Sequence, residues 1–207
     1  MPDPERPSAT TALSEPAPAL ADAVAREVAR QLAPFRDEIG RELAALRERT
    51  ADDRAAIVVF SADLDKVLAG FVIATGAAAA GLETTVFFTF WGLSALKKEG
   101  AAGGRKGLKE KMFALMTPAG SRQLGTSKLN FLGLGSRMLR SMMKDKGIAT
   151  LEELMDVARD LGVRFMACTM SMDAMGVSRE ELVDGLEYGG VGAYMAEAAR
   201  SRVTLFI

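Results

Sequence analysis

Two continuous apolar runs constrain this chain most: Ala56-Ile57-Val58-Val59-Phe60, and Thr84-Thr85-Val86-Phe87-Phe88-Thr89-Phe90. Neither alternates polar with apolar residues, as a strand with one wet face would. Both are rich in β-branched and aromatic side chains, so each reads as a strand covered on both faces. A helix-length segment from about Leu64 to Leu82 separates them, with Gly81 near its close and Ser61 and Asp63 offering N-cap oxygens at its start. A strand, a crossover helix and a second buried strand require a parallel sheet. The expected fold is α/β, with a mostly parallel sheet, helices on both faces and an N-terminal helical arm.

Further elements follow the same signals. Thr150-Leu151-Glu152-Glu153 is a capping box for a helix reaching about Leu161, and Gly162 ends it before a strand at Val163–Ala167. Ser178 to Glu181 forms a second capping box for a short helix. A helix from Val191 to Ala199 and a strand from Val203 to Ile207 close the chain. The apolar stretch Val67 to Leu82 is too short for the roughly 20 residues of a membrane span. A buried helix followed by a strand is expected there instead.

Three other regions frame the α/β domain, which is placed at 55–207. Residues 1–18, rich in Pro, Ala, Ser and Thr, read as a disordered tail. Residues 19–54 form the arm: Val24, Val28, Leu32, Phe35, Ile39, Leu43 and Leu46 recur every three or four positions. Pro34 is expected to kink this helix or start a second one. The arm suits either packing on its own domain or oligomerisation. Residues 97–147 form a basic excursion with Gly-rich breaks, and from Lys97 to Lys146 it holds twelve basic against three acidic residues. Such a cluster is either a solvated face or a docking site for an anionic ligand or acidic partner, with Lys106, Lys109 and Lys111 as the candidates. Its methionines serve as core filler or as an adaptable lid.

Composition narrows the chemistry. A hydrophobic content of 49% suffices for a core, and a net charge of -1 gives no overall pull toward nucleic acid or membrane. The opening residues lack the apolar core of a signal peptide, so a cytoplasmic location is expected. With no histidine, Ser-His-Asp and Cys-His catalysis and histidine-bound zinc are excluded. One cysteine makes neither an internal disulfide nor a thiolate metal cluster, and no metal or cofactor is called for.

In an open parallel sheet, ligands bind beyond the carboxyl ends of the strands. Cys168 lies at such an end, in Ala167-Cys168-Thr169-Met170-Ser171-Met172-Asp173. Amides of a following turn would favour its thiolate, and Ser171 and Asp173 are capping-competent. Strand-end position also makes Ser61, Asp63, Thr89, Trp91 and Thr169 pocket candidates. The other reading is a buried cysteine acting as a small hydrophobe. The approach to Cys168 lacks the Pro and Thr of a peroxidatic setting, and no second cysteine supplies a C-x-x-C pair. A lone thiolate without histidine suits persulfide carriage. Gly133-x-Gly135 and Gly189-Gly190-x-Gly192 lack a dinucleotide-binding context and read as turns.

Three segments carry a family resemblance: Val58 to Lys66, Ala74-Thr75-Gly76-Ala77 with Phe87 to Leu93, and Ala167 to Gly176 with Gly189-Gly190-Val191. They resemble the DsrE/DsrF/DrsH-like family, in its DsrE-like, sulfur-relay branch, from about Ala55 to Ile207. The resemblance implies a flavodoxin-like (Rossmann-like) fold, homo-oligomers, and sulfur carriage or transfer through a cysteine persulfide at Cys168. It implies TusA-like sulfur carriers or rhodanese-like sulfurtransferases as partners. The arm lies outside it.

Overall fold

The computed structural model describes residues 18–49, 52–100 and 117–207, with side chains from 21 to 46 in the first span. The chain divides into two compact units, Met1–Thr50 and Ala51–Ile207. In the first, α1 (Pro18–Arg49) is one helix that runs through Pro34 rather than two helices meeting there. Its large apolar residues Val24, Val28, Leu32, Phe35, Ile39, Leu43 and Leu46 are all exposed.

The second unit is built on five parallel strands, β1 (Asp52–Val59), β2 (Glu83–Phe88), β3 (Arg164–Cys168), β4 (Glu187–Gly189) and β5 (Ser201–Phe206). Their order is β4-β3-β2-β1-β5. Among the described residues its α-helices are α2 (Leu64–Ala79), α3 (Leu134–Asp145), α4 (Leu151–Asp160), α5 (Thr169–Met175) and α6 (Val191–Arg200). Ile57, Val86 and Phe165 are neighbours in register. They share one sheet face with Val59, Phe88 and Ala167. That face packs against α2 and α4 in the main core, where the rings of Phe71, Phe88 and Phe165 lie 5.4 to 6.0 Å apart.

The period of two sends the intervening residues Val58, Phe87, Met166 and Cys168 to the opposite face. There α6 covers them, and its Tyr194 ring stacks on Phe87 at 4.9 Å. No residue of α6 is fully buried. Instead, Glu197 of this helix pairs with Arg54 of β1 at 3.1 Å and Arg164 of β3 at 2.8 Å. Burial alone would draw the Arg164 guanidinium pKa down, but Glu197, Glu187 and Glu83 raise it, so it stays charged.

Several elements differ from expectation in their limits. β1 starts at Asp52, ahead of the apolar run, because its polar first residues are satisfied by ion pairs. Asp52 meets Arg200 at 2.9 Å, and Asp53 pairs with Arg202. β2 stops at Phe88 because Phe90 takes a φ of +46° and opens a 3-10 segment, Phe90–Leu96. The capping box at Thr150 forms as expected, Thr150 N–H donating to Glu153 at 2.7 Å, whereas the box at Ser178 opens only a 3-10 turn, Arg179–Glu181. The basic excursion begins tethered: Lys98 N–H donates to the Glu181 carbonyl, and Lys97 bridges Leu182. Of its methionines, Met143 is buried while Met138 and Met142 are exposed; Met112 and Met116 lie outside the described residues. Among the described residues, no helix is long and apolar enough to cross a membrane.

Candidate functional site

Cys168 is the last residue of β3 and occupies the N-cap position of α5, with φ -73° and ψ 111°. Its side chain is fully buried, packed in the small apolar cluster of Val58, Phe87 and Met166 with Tyr194 against it. Burial raises the Tyr194 phenol pKa, so the ring stays neutral. Beside Cys168 in the sheet stands Gly189 of β4. A Cβ there would lie 3.0 Å from both the Ala193 Cβ and the Met166 sulfur. Glycine therefore lets the first turn of α6 come down next to the cysteine.

The predicted partners separate into two groups. Thr89, just past β2, shares a 2.8 Å hydrogen bond with Ser171 in the first turns of α5, and both are buried. Ser171 thus ties α5 to the end of β2 rather than capping α5, whose start has no side-chain cap. Asp173 is exposed and, with Thr169, lines a cavity of about 360 Å³ completed by Met172, Val177, Ser178 and Arg179. Ser61 and Asp63 form a separate pair at the end of β1. The Ser61 hydroxyl donates to the Asp63 carboxylate at 2.8 Å and accepts from the Asp63 N–H at 3.1 Å. Asp63 also meets Lys66 at 2.7 Å. Neither caps α2 through its side chain, as sequence had suggested; the first amide of α2, at Leu64, donates to the Gly125 carbonyl at 2.7 Å. Among the described residues, hydrogen bonds run within these two pairs and not between them.

Trp91 is 40% exposed in the 3-10 segment. It adjoins a partly exposed aromatic row that sequence reading did not single out, in which Phe60 stands 5.7 Å from Phe90 and 5.8 Å from Phe206. The loop after Gly125 is fastened to α2 by Asp65, which accepts from the Ser127 amide at 2.8 Å and hydroxyl at 2.5 Å. Burial would raise the Asp65 pKa, but these Ser127 bonds outweigh it and hold the carboxyl below its usual range. Lys106, Lys109 and Lys111 lie outside the described residues. Among the described residues no group of three metal-ligand side chains converges.

The Thr89–Ser171 bond carries the first prediction. Ser171→Ala leaves the Thr89 hydroxyl buried without a partner, at about 1–3 kcal/mol, whereas adding Thr89→Val removes the orphan and recovers most of the loss. Urea unfolding of the single and double variants measures this. Equal loss in both would remove the pair from the account of what fixes α5.

Comparisons with known proteins follow the same boundaries. Residues 51–206 match the DsrE/DsrF/DrsH-like family. The uncharacterized protein YrkE of Bacillus subtilis is 47% identical over 154 residues, covering 74% of this chain and 96% of that protein. The sulfur carrier protein DsrE2 of Allochromatium vinosum is 33% identical over 163 residues, covering 74% and 98%. The crystal structure of the YchN protein of E. coli aligns with a TM-score of 0.46 at 13% identity, over 74% of this chain and 98% of that one. With its parallel sheet and its matched segment from 51 to 206, this chain belongs to the DsrE/DsrF/DrsH-like family.

Proposed function

We propose that this protein is a sulfur carrier of a relay, holding sulfane sulfur on Cys168 and passing it to a partner protein. The observation that carries the reading is the placement of the chain's one cysteine at the carboxyl end of β3, inside an apolar cluster. Kinship with a sulfur carrier protein of the same family supports it.

The chemistry balances without an oxidant. The Cys168 thiolate attacks the outer sulfur of a donor persulfide, a sulfur–sulfur bond forms, and the donor's own sulfur–sulfur bond breaks with its thiolate leaving. A partner thiolate then attacks the outer sulfur of Cys168–S–SH and regenerates the Cys168 thiolate. Val58, Phe87, Met166 and Tyr194 keep water and oxidants from the held sulfur between these steps. The working form in this reading is a homo-oligomer, and its partners are a TusA-like carrier or a rhodanese-like sulfurtransferase.

Intact mass after incubation with a sulfane donor tests the proposal. A gain of one sulfur that dithiothreitol removes is the expected result, and its absence overturns the reading. Full burial of Cys168 favours one rival, a non-catalytic assembly module with a structural cysteine that binds an anionic ligand or acidic partner. The same measurement separates them, because that module takes up no sulfur.

A further inference from the structure

The 32-residue helix α1 carries an apolar stripe with nothing buried in it: Val24, Val28, Leu32, Phe35, Ile39 and Leu43 are between 48% and 62% exposed. The spacing of the stripe is regular. Phe35 follows Val24, Ile39 follows Val28 and Leu43 follows Leu32, each by eleven residues. Eleven residues in three turns is about 3.67 per turn, close to a relaxed helix, so the stripe holds to one side with only a slight right-handed supercoil. Pro34 falls on the flank away from it, where the carbonyl that loses its hydrogen bond can meet water. A helix roughly 48 Å long, apolar along one side, is not stable alone in water and needs a partner along that side.

We propose that this partner is α1 of another copy of the same chain, the arms joining along the stripe as an eleven-residue-period bundle. The flanking charges choose the occupant. Between Asp22 and Glu42 the helix has four arginines and five acidic residues, interleaved. An anionic bilayer selects an excess of basic residues, and a strongly acidic or basic partner selects the opposite excess. An identical helix meets both signs with both signs. The arm precedes the segment matched by the family, which starts at 51, so this assembly is separate from the sulfur reading and stands or falls without it.

The test uses the full-length protein with Cys168→Ser, which silences the native thiol. Phe35 is the midpoint of the series from Val24 to Leu46, so it faces its own counterpart whether the arms run parallel or antiparallel. Under mild oxidation, Phe35→Cys in that background should form a disulfide-linked dimer at least tenfold faster than Asp37→Cys, which lies on the opposite flank. Adding Leu32→Glu to Phe35→Cys should abolish the link and lower the helical signal in circular dichroism. Association through the α/β unit alone would not distinguish position 35 from 37. Equal crosslinking at the two positions, no crosslinking at either, or a link that survives Leu32→Glu overturns the proposal.

Discussion

On the proposed reading, Cys168→Ser should take up no sulfur from a sulfane donor, while the unaltered chain should gain one sulfur per molecule. The contrast is all or none because the chain has no second thiol to take the load. A hydroxyl has neither the acidity nor the nucleophilicity to open a persulfide at neutral pH. Serine has a cost of its own. Its hydroxyl enters a cluster of Val58, Phe87 and Met166, and an unpaired hydroxyl there costs about 1–3 kcal/mol. Cys168→Ala avoids that orphan and leaves only a small void, so the two variants together separate chemistry from folding. Loss of the adduct in both, with alanine the more stable, is the expected pattern. A sulfur adduct that persists in either variant places the chemistry elsewhere and removes Cys168 from it.

Gly92→Ala should be the most damaging small substitution near the site. A Cβ at this position would lie 2.1 Å from the Val59 carbonyl oxygen and 2.8 Å from its carbonyl carbon. Both neighbours are backbone in the central region of the sheet, so no side chain can rotate away. Relief requires β1 and the 3-10 segment to separate by about 1 Å, which strains the hydrogen bond from Gly92 N–H to the Phe60 carbonyl at 2.8 Å. Overpacking of this kind costs typically about 1–3 kcal/mol and sometimes more. We expect the upper end, and a fall in Tm of roughly 6–12 °C for a domain this size. Calorimetry on the full chain measures it. A Tm within about 2 °C of the parent would show that the contact relaxes freely.

Much of the fold can be read from the sequence where burial is continuous. The strands at β1, β2 and β3 carry unbroken apolar runs, and their parallel pairing follows from the helices between them. β4 was not anticipated, because Glu187-Tyr188-Gly189 is three residues long and has no apolar run. Nor does any local signal place β5 beside β1, since that depends on which way the last crossover turns. The site divides similarly. Position at a strand end made Cys168 a candidate without separating a reactive from a structural thiol; which face its side chain joins depends on sheet register, and Tyr194 enters from a helix far along the chain. Ser171 and Asp63 were read as caps because their residue types favour caps. Each has a better-placed partner, Thr89 for one and Ser61 with Lys66 for the other, and neither is visible in local sequence.

The attachment of α6 governs how readily a reagent reaches Cys168. This helix closes the face that hides Cys168, and it is fastened both by Tyr194 stacked on Phe87 and by Glu197 between two arginines whose side chains are 19% and 28% exposed. Dissolved ions weaken attractions of this kind, whereas apolar packing is indifferent to sodium chloride or slightly strengthened by it. The ionic share of this closure is partly buried, and salt screens such pairs less than exposed ones, so alkylation of the thiol by iodoacetamide should quicken only modestly as sodium chloride is raised.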